Sequence, residues 1–154
     1  MKLGLLILAF AVLLIIVVSA ANADRVDRLS DKQLAREAQK VIEHGGIRST
    51  RYGDVTPYLR RLCHEMIDRA FAPYGASAVS WARYVVRRES RCNPAAVNHK
   101  YSSRSQQATG IAQWIPAYHT WIDYERLVRD LKYAVAVFVR SSRGGRNTGP
   151  WRCC

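Results

Sequence analysis

The sequence predicts an all-α protein, because apolar side chains recur at three- and four-residue intervals in three separate stretches. That spacing places them on one face of a helix, which one helix can bury against another. The three sets are Leu34, Ala38, Val41 and Ile42, then Leu59, Leu62, Cys63, Met66, Ile67 and Ala70, and finally Leu131, Ala134, Val135, Phe138 and Val139. If residues 1–23 are removed as a leader, 154 − 23 = 131 residues remain, which are enough for one domain with a real core and too few for two.

Residues 1–23 have the pattern of a signal peptide. Lys2 precedes an apolar run over residues 3–18, and Ala21-Asn22-Ala23 fits a signal peptidase site before Asp24. The competing interpretation is an uncleaved anchor, because the run approaches the length of about 17 residues that can cross a bilayer. We therefore expect a secreted protein, tethered to a membrane only if the leader is retained.

Helix-start signals divide the rest of the chain into a helical arm with its connector, residues 24–55, and a larger helical domain, residues 56–154. Ser30-Asp31-Lys32-Gln33 forms a capping box that opens the arm helix, and Gly45-Gly46 is predicted to stop it. Thr56-Pro57 opens the next helix, with Thr as N-cap and Pro at the first helical position.

A third helix, for which Ser77 is the predicted cap, carries a candidate catalytic acid at its end. Glu89 lies within the apolar face of this helix, one turn beyond Val85, and Asn93-Pro94 is expected to stop the helix. A carboxylate on such a face loses hydration, which disfavours its charged form and suits a general acid. The alternative is a solvated last-turn residue paired with Arg88 or Arg91. The apolar face consists of Ala78, Trp81, Ala82 and Val85.

Two motifs in a fixed order then point to a family. They are Glu89-Ser90-x-Cys92-Asn93-Pro94-Ala95-Ala96-Val97-Asn98 and Thr109-Gly110-Ile111-Ala112-Gln113-Trp114. Together they resemble the soluble lytic transglycosylase and goose-type lysozyme group of the lysozyme-like superfamily, over residues 71–151. The Ala-Tyr-Asn-Ala-Gly segment of many transglycosylases has no match here. The resemblance implies that residues 56–154 form a lysozyme-like domain that cleaves peptidoglycan glycan strands.

The resemblance also implies roles for individual residues. Glu89 would be the only indispensable catalytic acid. Ser90 and Gln113 would hydrogen-bond the substrate or orient the acid, Gly110 would let the backbone approach the sugar, and Asn98 is a weaker candidate for substrate binding. No cofactor is implied.

The acidic residues near the motifs favour one reaction type. Between positions 63 and 120 the only carboxylates besides Glu89 are Glu65 and Asp68, which fit the polar face of their own helix. Glycosidases that use water need a second carboxylate, so a single acid favours a lytic transglycosylase with a 1,6-anhydro product. Asp123 or Asp130 could position a water, which keeps a muramidase as the runner-up. A non-catalytic, basic wall-binding protein on the same scaffold is the third possibility.

Four cysteines, Cys63, Cys92, Cys153 and Cys154, lie in the part predicted to be exported, and they allow three pairings. Neighbouring cysteines bond to each other only through a strained ring, so we expect the last two to reach separately to Cys92 and Cys63. Related transglycosylase-like domains, in which a Cys after Glu-Ser matches one after a terminal Pro-Trp, imply the same for Cys92. Zinc is the weaker alternative, because the spacing lacks a Cys-x-x-Cys or His-x-x-x-His unit, and we predict no metal.

The charge predicts an anionic partner, since 24 Lys and Arg face 12 Asp and Glu and leave a net charge of +12. For an exported protein the expected anions are wall polymers and peptidoglycan carboxylates. We rank nucleic acid low, because the basic residues are scattered and no aromatic-rich RNA-binding signature accompanies them. We expect a monomer. Aromatic residues after Pro116 could stack on sugars, but the core is the favoured location for Trp121.

Overall fold

The structure is a computed structural model that describes residues 25–44, 55–100 and 102–151. It is mainly helical, which confirms the all-α prediction. Within the described ranges, no helix is long and apolar enough to cross a bilayer. The predicted leader, the Gly45-Gly46 stop and the last two cysteines lie outside these ranges. The helices are α1 (Asp31–Glu43), α2 (Pro57–Phe71), α3 (Ala76–Glu89), α4 (Tyr124–Arg129) and α5 (Leu131–Ser142), with 3-10 turns at Ala72–Tyr74, Arg104–Gln106, Pro116–Tyr118 and Gly149–Trp151.

Two of the three predicted helix caps are confirmed. The Ser30 hydroxyl accepts from Gln33 N at 3.4 Å, and the Gln33 side chain accepts from Ser30 N at 2.8 Å, which completes the capping box. The Thr56 hydroxyl accepts from Leu59 N at 3.2 Å. The cap predicted at Ser77 is wrong, because α3 begins at Ala76 with Gly75 as N-cap. Gly75 has φ 98°, a conformation that glycine adopts without steric cost, and it turns the chain into the helix two residues early.

Helix α2 is the centre of the fold, since it packs against α1, α3 and α5. The predicted apolar stripes are buried except at their ends, where Val41, Ile42, Ala70 and Val139 are half-buried against the core. An aromatic group closes the core between α2, α3 and α5. Phe138 lies at its middle, with ring centroids 5.1 Å from Phe71, 5.5 Å from Trp81 and 5.4 Å from Trp151. Burying such rings contributes both apolar area and edge-to-face contacts. The largest fully buried side chains are Trp114, Phe71, Phe138, Leu34, Leu59, Leu62, Ile67, Ile111, Leu127 and Leu131.

The arm shares this core instead of standing apart from it. Leu34 and Ala38 of α1 are fully buried in the same cluster as the α2 residues. Arg69 of α2 fixes the contact, because its guanidinium bonds to the Leu29 carbonyl at 2.6 Å and to the Asp31 carboxylate at 3.0 Å. The described part of the arm is therefore integral to the packed body.

The predicted disulfide pairing is wrong. Cys63 and Cys92 are bonded to each other, with Cα atoms 6.1 Å apart, and both are fully buried. Cys63 lies on the buried stripe of α2, and the loop after α3 returns to that stripe, so the two thiols meet in the core. The pairing argument from sequence excluded only the bond between adjacent cysteines. It had no information on how α3 packs on α2.

The core location favoured for Trp121 is also wrong. Its side chain is 42% exposed, in the turn that precedes α4, and the guanidinium of Arg140 lies 4.4 Å from its ring centroid. The helical stretch opened by Pro116 ends at Tyr118, so no continuous helix carries Trp121 toward the core. The guanidinium of Arg140 stabilises the exposed Trp121 ring through a cation–π contact.

Candidate active site

The candidate acid Glu89 is the last residue of α3, as predicted. The helix ends before Asn93-Pro94, because Arg91 and Cys92 adopt left-handed φ values of 54° and 65°. Cys92 N donates to the Val86 carbonyl at 3.2 Å, which satisfies a backbone group at the helix end. The predicted apolar face is confirmed up to Val85, since Ala78, Ala82 and Val85 are buried.

The carboxylate of Glu89 is ion-paired. Its Oε1 accepts from Arg88 Nε at 3.1 Å and from Arg88 Nη2 at 2.5 Å, and its side chain is 23% exposed. Arg88 Nη2 also donates to the Trp151 carbonyl at 3.1 Å, and its guanidinium lies 5.3 Å from the Tyr84 ring centroid. The hydrogen bonds to Glu89 raise the pKa of Arg88. The pairing with Arg88 that the sequence allowed as an alternative is thus present, and it engages Oε1 of the carboxylate.

Ser90 joins the two motifs but does not face solvent. It is fully buried, and its hydroxyl donates to the Ile111 carbonyl at 2.8 Å and lies 3.3 Å from the Val86 carbonyl. Both partners are backbone groups, so the side chain anchors the end of α3 on the second motif. Two roles were expected for Ser90, binding substrate or orienting the acid, and the buried hydroxyl is directed away from solvent to the backbone of the second motif.

The second motif forms a compact turn. Thr109 and Trp114 exchange backbone hydrogen bonds of 2.8 and 2.9 Å across it. Gly110 has φ 85° and is buried, and a Cβ at this position would lie 2.9 Å from Leu127 Cδ2. Glycine is therefore required by the turn and by the packing behind it, where the resemblance implied an approach to sugar.

Gln113 and Asn98 lie on either side of the loop that connects the motifs. Gln113 Nε2 donates to the Gly110 carbonyl at 3.0 Å and to the Ala96 carbonyl at 3.2 Å. Asn98 Oδ1 accepts from Lys100 N at 3.1 Å. Both side chains are half-buried; Gln113 joins the turn to the end of the first motif, whereas the Asn98 side chain closes a local turn within the loop. Much of the hydrogen bonding of the motif residues is thus directed to the two motifs themselves.

The two carboxylates considered for a water-using mechanism serve as helix caps. Asp123 accepts from Arg126 N at 3.0 Å at the start of α4, and Asp130 accepts from Tyr133 N at 2.9 Å at the start of α5. Asp130 also pairs with Arg126 at 3.1 Å. Neither is hydrogen-bonded to a residue of the two motifs.

Beside Glu89 lies a basic groove that the sequence analysis missed. It is an open depression of about 1280 Å³ between α2 and α3, which we call the arginine groove. Its signal was present in the sequence as basic residues four apart on α3, but the charge was interpreted only as a total. The groove is lined by Arg60, His64, Ser80, Arg83, Tyr84, Arg87, Arg88 and Arg91.

Comparisons of the chain with models of known protein families, with curated proteins and with solved structures find no match in any of the three. The likeness to lytic transglycosylases and goose-type lysozymes therefore rests on the two sequence motifs alone.

Proposed function

We propose that the protein is an exported peptidoglycan-cleaving enzyme, a lytic transglycosylase with Glu89 as its catalytic acid. The observation that supports this most is the hydrogen bond from Ser90 to the Ile111 carbonyl, across 21 residues of sequence. It holds the end of the acid-bearing helix against the Gly110 turn, which is the association that the family resemblance requires. The Glu89 side chain remains partly exposed at the edge of this contact.

The reaction needs one group that gives and then recovers a proton. Glu89 protonates the glycosidic oxygen between N-acetylmuramic acid and N-acetylglucosamine, while the substrate acetamido group assists departure. The carboxylate then takes the proton from the C6 hydroxyl, which bonds to C1 in place of the departed oxygen, and no water is consumed. The C6 hydroxyl is held near C1 by its own ring, so its effective concentration is high.

Arg88 has a role in this cycle because it holds the carboxylate before substrate arrives. Its second hydrogen bond, to the Trp151 carbonyl, gives the guanidinium another partner when Glu89 becomes protonated. The pair can reform as soon as the carboxylate is ionised. We expect Arg88 to position Glu89 and not to touch the scissile bond.

The capping roles of Asp123 and Asp130 support the transglycosylase over the muramidase. A carboxylate that bonds a helix N-terminus has less capacity to activate water, and breaking the cap costs about 1 kcal/mol. Both oxygens of Asp130 have partners, in Tyr133 N and Arg126 Nε. A single working carboxylate therefore remains the better account of the site.

A second candidate is a non-catalytic, basic wall-binding protein. The Arg88–Glu89 ion pair favours it, because a carboxylate that is paired at a helix end can have a purely structural role. Incubation of the purified protein with peptidoglycan sacculi distinguishes the two. An enzyme releases soluble muropeptides, whereas a binding protein sediments with the sacculi and releases none.

A further inference from the structure

The arginine groove has a strongly unbalanced charge. Five guanidinium groups line it, and no Asp or Glu is among the lining residues. Among the residues that the structure describes, the carboxylates of Asp68 and Glu89 reach it from its margins. Asp68 bonds both nitrogens of the Arg83 fork, and Glu89 bonds Arg88. The next acid on α2, Glu65, is bonded to Arg69 at 2.7 Å. The groove therefore keeps a positive excess that a bound anion would neutralise.

The basic residues form a row. Arg83 and Arg87 lie four residues apart on α3, where the rise of the helix puts them about 6 Å apart, and Arg91 lies in the loop just beyond the helix end. Arg60 lines the groove from α2, opposite this row. A single small ion would occupy only part of such a row. Its length suits a chain that carries an anionic group at each short repeat.

The residues that line the arginine groove are poorly suited to recognising nucleic-acid bases. Tyr84 is 55% exposed, but the Arg88 guanidinium covers its ring at 5.3 Å from the centroid. No Phe, Trp, Asn or Gln is among the groove's lining residues. Single-stranded nucleic acid needs open aromatic faces, and direct readout commonly uses amide side chains. What the groove offers is guanidinium forks, which bind phosphate oxygens in pairs.

We propose that the arginine groove is a docking surface for a flexible polyol-phosphate chain, an anionic polymer with one phosphodiester in each repeat. A peptidoglycan strand matches the row less well, because its carboxylates lie on peptide branches that leave the chain. The proposal goes beyond the proposed function, since docking on α2 and α3 does not require Glu89 to act as a catalyst. It gives the positive charge of the chain a definite location.

Binding of a fluorescently labelled poly(glycerol phosphate) to the full-length protein, followed by anisotropy at several salt concentrations, tests the proposal. Arg60→Gln with Arg87→Gln should weaken binding at least tenfold. It should also lower the slope of log affinity against log salt by up to about 2, since each lost phosphate contact contributes somewhat less than 1. The matched control is Arg36→Gln with Arg129→Gln, which removes the same charge from exposed residues outside the groove.

The control should bind within about twofold of the unchanged protein, a difference of under half a kcal/mol. Equal weakening by both double variants would show that total charge, and not the groove, attracts the polymer. No binding by the unchanged protein would also overturn the proposal. All four arginines are exposed, and circular dichroism with thermal melting verifies that each variant is folded.

Further measurements distinguish binding of the polymer from binding of other anions, and distinguish polymer binding from catalysis. Single-stranded DNA, duplex DNA and poly-glutamate of matched charge should each bind more weakly than poly(glycerol phosphate). Equal or tighter DNA binding that is lost in the groove variant would assign the groove to nucleic acid. Glu89→Gln should retain polymer binding, so loss of lysis in that variant with binding intact bears on the proposed function alone.

Discussion

Replacing Glu89 with Gln is the most informative single change, because it keeps the shape of the side chain and removes its ability to transfer a proton. Positioned proton transfer contributes about 10²–10⁴-fold to rate. Glu89 is proposed to act first as acid and then as base, so we expect a loss toward the upper end of that range.

The structure predicts a small effect of the same change on stability. The Arg88–Glu89 pair is partly exposed, with side chains 21% and 23% accessible, and such pairs contribute up to about 1 kcal/mol. Arg88 keeps its hydrogen bond to the Trp151 carbonyl at 3.1 Å. For a chain of this size the melting temperature should fall by no more than about 2–4 °C.

The assay is release of soluble muropeptides from purified sacculi, measured beside thermal melting of each protein. Glu125→Gln is the matched control, since it removes one exposed carboxylate from α4 and should lyse sacculi at the rate of the unchanged protein. Lysis by Glu89→Gln within a few-fold of the unchanged protein would refute the assignment of the acid. A collapse of its melting temperature would refute the argument that the pair contributes little to folding.

Three further predictions concern stability. Burial and nearby arginines lower the pKa of His64, so the unfolded chain binds a proton at this histidine more readily than the folded chain does. The free energy of unfolding should therefore fall as the pH drops below about 6.5. Urea titrations at several pH values should show a smaller fall for His64→Gln. Non-reducing peptide mapping should find Cys63 linked to Cys92, and a link from either one to the terminal cysteines would contradict the structure. Replacing both with Ala should lower the free energy of unfolding by about 3–4 kcal/mol, given their separation of 29 residues. Both Gly110 and Gly75 have positive φ, but only at Gly110 would an added Cβ meet a side chain, at 2.9 Å. In denaturant titration, Gly110→Ala should therefore lower the free energy of unfolding by about 1–3 kcal/mol more than Gly75→Ala. Equal losses would show that backbone strain is the whole cause.

Local features of the fold could be predicted because their causes are local. The capping box at Ser30 and the cap at Thr56 depend on residues within three positions, and the structure confirms both. The stripes on α2 and α5 face the core because helical periodicity places their members on one face, and only the last members, Ala70 and Val139, are half-buried. The cap at Ser77 was wrong for an equally local reason, since Gly75 with φ 98° starts the helix earlier.

Features that depend on packing between elements could not be predicted. The Cys63–Cys92 bond requires that α3 return its C-terminal loop to the middle of α2, which no spacing along the chain expresses. The residue type of Trp121 favoured the core, yet the side chain is exposed and Arg140 from α5 covers its ring at the surface. For Glu89, the choice between an isolated acid and a partner of Arg88 depended on side-chain geometry.

The reaction product tests the central claim most directly. If Glu89 works alone, digestion of purified peptidoglycan should yield muropeptides that end in 1,6-anhydro-muramic acid. These are lighter by one water than hydrolysis products, and borohydride cannot reduce them. Mass analysis before and after borohydride treatment reads both properties in one experiment. The account predicts anhydro ends as the main product, whereas reducible muramic acid ends would contradict it and would turn attention to Asp123 and Asp130 as partners in a muramidase.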